Sequence, residues 1–134
     1  MIARRPIFVT LAAATLFLML PGCGPSEPVT VGEGEMPGPV PDDFPVPYGA
    51  AVGSTRVDRV GHRTEFTLTV PRTVSGVTQY YLVNLVSAGY VVVRSGGDDT
   101  SWNISFSRDS LRGTMVIGRA GAGAAEVVVS INRS

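Results

Sequence analysis

The feature that most restricts the fold is a change of hydrophobic period along residues 48–134. Phe66, Leu68 and Val70 alternate with Thr67 and Thr69. Trp102, Ile104 and Phe106 alternate with Asn103, Ser105 and Ser107, and Val127, Val129 and Ile131 fall on one side of the run Glu126–Asn132. A period of two marks a strand that buries one face. One window, Thr73–Ala88, keeps a different period. Its Val77, Tyr80, Tyr81, Leu85 and Ala88 fall within about 140° of a helical wheel, a normal core-facing stripe. Thr73 or Ser75 caps its start, and Gly89 suits its stop.

Further strands are expected over Ala50–Val60, Tyr90–Arg94 and Arg112–Gly118. The first should form a hairpin with Thr64–Val70 across a turn at Gly61-His62-Arg63, and Pro71 should end that hairpin. Ser95–Asp99, Arg108–Leu111 and Ala120–Ala124 read as turns or loops. Short connections make neighbouring strands antiparallel. The expectation is an α+β domain over 48–134, an antiparallel sheet of five to six strands packed on one helix in the order ββαββββ. Tyr80-Tyr81 on the helix and Ala88-Gly89-Tyr90 at its end, followed by strands around Trp102, Val116 and Val129, resemble a recurring bacterial envelope domain. That resemblance implies a fold and no activity.

The segment before the domain reads as an address and a spacer. Arg4 and Arg5 precede an uncharged run, Ile7–Leu20, that ends at Pro21-Gly22. Its 14 residues are short of the roughly 20 that span a bilayer, so a signal peptide over 1–22 is the better reading. The paired arginines also raise twin-arginine export. Leu20-Pro21-Gly22-Cys23 then holds the only cysteine and resembles the lipobox of bacterial lipoproteins. The resemblance implies a diacylglycerol on Cys23, cleavage before it and an anchor in the cell membrane or outer membrane. Pro21 departs from the small residue usual at its position. The alternative is an incidental cysteine beside an ordinary cleavage site. Residues 24–47 hold seven prolines, four glycines, five acids and no base. That composition suits an extended spacer, reaching roughly 70 Å at full polyproline extension. A Pro-rich ligand for a partner domain is the other reading of 23–47.

Chemistry is sparse. The net charge is zero, and all eleven basic residues are arginine; a neutral chain is not a binder driven by nucleic-acid phosphates. One cysteine excludes an intramolecular disulfide, and one histidine excludes a multi-histidine metal site within the chain. His62 belongs to a turn. Gly121-Ala122-Gly123 opens like a dinucleotide fingerprint but is followed by Glu126 and a strand, which fails that motif's context. Asp98, Asp99 and Asp109 lack the spacing of a calcium loop. No cofactor is expected.

Two surface features stand out. No charge occurs from Thr73 to Tyr90, and Leu82, Val83 and Val86 lie opposite the expected core stripe. Either another part of the domain covers this face, or it meets a protein partner, a second copy or the membrane. Arg56, Arg59 and Arg63 gather on the first hairpin, as a solvated edge or as a contact for anionic headgroups or wall polymer. The expected role is a membrane-anchored, non-catalytic binding or assembly module. The alternative is a small envelope hydrolase.

Overall fold

A computed structural model describes residues 28–134. It contains seven strands and one helix: β1 Val29–Glu33, β2 Ala51–Asp58, β3 Arg63–Val70, α1 Val74–Ser87, β4 Val91–Gly97, β5 Ser101–Arg108, β6 Leu111–Arg119 and β7 Ala125–Arg133. All strands join one antiparallel sheet in the order β1-β2-β3-β7-β6-β5-β4. The expected ββαββββ order is therefore preceded by one more strand, β1. The chain leaves β3, crosses the sheet in α1, starts again at the far edge in β4 and returns strand by strand to β7 beside β3.

The helix follows its sequence signals. Thr73 is the N-cap, and its hydroxyl oxygen accepts from the Gly76 amide at 3.1 Å. At the other end Gly89 takes φ 89°. The Gly89 amide donates to Val86 and the Tyr90 amide to Leu85. This pair of bonds satisfies carbonyls in the last turn of the helix, and Leu85 and Tyr90 are both buried in the core. Val74, Val77, Thr78, Tyr81 and Leu85 are the buried helical residues, whereas Tyr80 and Ala88 are half-buried.

The alternating runs place their apolar members under the helix. Phe66, Leu68 and Val70 of β3, Ile104 and Phe106 of β5, Met115 and Ile117 of β6, and Val127, Val129 and Ile131 of β7 are all buried. Trp102 is half-buried against the same core. Gly113 is paired with Phe106, and a Cβ there would collide with the Phe106 ring. The glycine makes room for the aromatic that its neighbour strand sends into the core.

One helix is too narrow for this sheet. Seven strands at about 4.8 Å spacing are roughly 30 Å across, against about 10–12 Å for a helix with its side chains. α1 lies on β4, β5 and β6. The rest of that face is covered by a strap, residues 34–50, of which residues 34–47 were expected to belong to an extended spacer. Val40 and Phe44 are buried in the core, and Met36 packs against it. Phe44 is the hub of the aromatic cluster, with ring centroids 5.7 Å from Phe66, 5.9 Å from Phe106, 6.1 Å from Tyr90 and 6.2 Å from Tyr81. Three proline-started turns fold the strap, with the amides of Val40, Phe44 and Ala50 donating to the carbonyls of Pro37, Pro41 and Pro47. The disordered-linker expectation is thus corrected for residues 28–47: β1 pairs with β2, and the strap completes the core. The first four of its residues, together with Cys23, lie outside the described residues.

Candidate functional site

Among the described residues, no helix or strap lies on the side of the sheet turned away from α1. Register places the side chains of this face in rows. One row runs Ser107, Arg112, Asn132 and Arg63 across β5, β6, β7 and β3, and the next runs Ser105, Thr114, Ser130 and Glu65. All of these residues except Glu65 line a shallow concavity of about 570 Å³. Its wall is hydroxyl, amide and guanidinium, with exposed Val93 of edge strand β4 at one margin. The Arg63 guanidinium donates to the Ser130 hydroxyl at 3.1 Å and pairs with Glu65 at 2.7 Å. The Arg112 side chain is exposed and makes no hydrogen bond or ion pair among the described residues. Arg112 and Arg63 lie two strands apart, about 10 Å. Such a surface offers donors to anions and polar groups. It brings together no nucleophile, base and orienting acid.

Charge is sorted along the strands. At the end where the chain joins β1 lie Arg59, Arg63, Arg108, Arg112 and Arg133, against Asp42, Asp43, Asp58 and Asp109, an excess of one positive charge. At the opposite end lie Glu33, Glu35, Asp98, Asp99 and Glu126, against Arg72 and Arg119, an excess of three negative charges. The five acids of residues 24–47 are thus not gathered in a separate spacer: Glu33, Glu35 and Asp43 belong to the folded unit, whose charge divides along the strand axis.

Arg108 ties the strap to the sheet. Its guanidinium makes two bonds to the Asp43 carboxylate, at 2.7 and 3.0 Å, and one to the Ala88 carbonyl at 2.8 Å, and lies 4.2 Å from the Tyr90 ring centroid. The Arg108 hydrogen bond holds the Asp43 carboxyl below the usual carboxylate range. Arg133 donates to the Pro39 carbonyl at 3.2 Å, a second tie.

The other residues singled out in the sequence fall as follows. Leu82 is half-buried and packs against the core, which corrects its placement on an outer face. Val83 and Val86 are exposed, at 63% and 58%. Two valines cover a small part of the roughly 800 Å² that each partner contributes to a stable interface. Arg59 bonds Thr30 of β1, while Arg56 faces Glu65 across the β2–β3 pair. His62 is exposed in the β2–β3 turn at φ 52°. Asp98 accepts from the Thr100 and Ser101 amides, which lowers its pKa, and so closes the β4–β5 turn. Asp109 sits at the far end of β5 from Asp98, roughly 25 Å away at strand rise, so these acids do not converge. The loop at Gly121–Gly123 joins β6 to β7.

The open face has a signal in the sequence: the polar members of the alternating runs, such as Ser105, Ser107 and Ser130, share one side of the sheet. No protein-family model matches the chain, and no curated protein and no solved structure is similar to it.

Proposed function

We propose that the chain is an exported lipoprotein of a bacterial envelope. Acylation at Cys23 holds it to a membrane, and its folded part is a non-catalytic binding module. The observation that carries this reading is the position of the sole cysteine, separated by Pro21-Gly22 from an uncharged run of 14 residues and five residues before Pro28. Two or more acyl chains hold a protein on a bilayer stably. The recognition surface is the helix-free sheet face. Its hydroxyl, amide and guanidinium rows stand on a fixed backbone because each belongs to a strand paired on both sides. A fixed backbone favours binding because little backbone freedom is lost on contact.

Mass spectrometry of the natively expressed protein tests the anchor. The expected mature chain begins at Cys23 and carries a diacylglyceryl group on the sulfur. An unmodified thiol, or a leader still attached, overturns the reading.

A further inference from the structure

The strap changes where the domain stands relative to its anchor. The folded unit begins at Pro28, whose carbonyl accepts from the Arg59 amide at 2.8 Å. Five peptide steps separate Pro28 from Cys23. At about 3.6 Å per residue they reach no more than about 18 Å. The basic end of the sheet is the end from which those steps depart. Arg59, Val60 and His62 lie in the β2–β3 turn beside Pro28, and the Arg133 amide donates to the His62 carbonyl at 3.1 Å, so the end of β7 is joined to this turn. Arg63 and Arg112 follow on the adjoining edge of the open face. Val60, at the tip of the turn, is 76% exposed.

We propose that this end, formed by Arg59, Val60, His62, Arg63, Arg112 and Arg133, docks on the anionic phospholipid headgroups of the membrane that holds Cys23. The inference rests on the anchor and deepens it by naming what the domain touches. Three observations carry it. The short connection confines this end, and not the acidic one, near the bilayer. Guanidiniums complement headgroup phosphates, and their attraction acts within about a Debye length of the surface. Val60 is an exposed apolar tip among those charges, placed to enter the headgroup layer.

The test uses the mature acylated chain, extracted from membranes and placed in two kinds of vesicle. One is phosphatidylcholine alone, and the other contains about one-third phosphatidylglycerol. Backbone hydrogen exchange is followed in peptides covering 58–63 and 109–113. On the anionic vesicles exchange should slow by about threefold or more, and about 0.5 M salt should abolish the difference. The variant carrying Val60→Glu and Arg112→Glu, two exposed positions, should melt as the wild type does and exchange equally on both vesicles. Equal exchange of the wild type on both, with Cys23 acylated and the protein retained by both, overturns the docking surface and leaves the anchor standing. A variant as protected as the wild type overturns it too. A chain whose Cys23 is unmodified overturns the anchor and this inference together.

Discussion

Phe44 is the side chain on which the packing of this domain turns. It touches Phe66 of β3, Phe106 of β5, Tyr81 of α1 and Tyr90 beyond it, so every layer meets at one ring. Phe44→Ala should lower stability by about 3–5 kcal/mol, read as a shift in the denaturant midpoint; a change below about 1 kcal/mol contradicts the placement. Tyr81 tests a different effect. Its hydroxyl is buried without a hydrogen-bond partner among the described residues, and burial raises its pKa well above the ordinary 10.0. Tyr81→Phe should therefore be neutral or stabilising by up to about 1 kcal/mol, since only an unpaired hydroxyl is lost. The raised pKa also means that the folded state holds this proton more tightly than the unfolded chain. Its contribution is complete below pH 10 and is lost as pH rises above it. Asp43 behaves in the opposite sense. The Arg108 bond lowers its pKa, so its contribution is present above the ordinary carboxylate range and lost as pH falls through the lowered value. Asp43→Asn should remove part of the acid sensitivity, measured as melting temperature against pH below about 5.

Among the elements, the helix and the central strands were legible in the sequence because each follows one local rule. Thr73, Gly89 and the stripe through Val77, Tyr81 and Leu85 mark α1 almost to the residue. The alternation through Phe66, Ile104 and Val129 marks β3, β5 and β7 with the correct buried side. The strap was not legible by those rules. It has neither period, and its proline and acid content imitates a spacer. Its signal is a repeat of another kind: Met36-Pro37, Val40-Pro41 and Phe44-Pro45 place an apolar residue before a proline every fourth position. Pro37 and Pro41 each start a turn that returns the next apolar residue, Val40 and then Phe44, to the core. Strand β1 was hidden for a related reason. Val29 and Val31 belong to an edge strand with almost no buried face, so alternation has nothing to report. The outer surface of α1 divides similarly. Leu82 reaches the core, while Val83 and Val86 do not. Leu82→Glu should cost about 1–3 kcal/mol, whereas Val83→Glu and Val86→Glu should each stay within about 0.5 kcal/mol. Parallel denaturant titrations decide this. Comparable losses at all three positions contradict the division.

For the whole molecule, the strap decides how far the proposed anchor can stand from the domain. A spacer from 24 to 47 would let the domain stand tens of ångströms off a bilayer, but only five peptide steps lie between Cys23 and the folded unit. In the proposed docking the basic end faces the headgroups, the acidic end points away, and the open sheet face stands between them with Arg63 and Arg112 at its lower margin. Thr114→Trp, in the middle of that concavity, should leave the fold intact and block whatever binds the face, so capture of a ligand lost with this variant assigns the surface. The most direct measurement is neutron reflectometry of the mature acylated chain on a supported bilayer. The protein layer should adjoin the headgroups and extend roughly 35 Å, one domain deep for about 107 residues. A hydrated gap wider than about 20 Å between headgroups and protein, beyond the reach of five residues, would contradict the account.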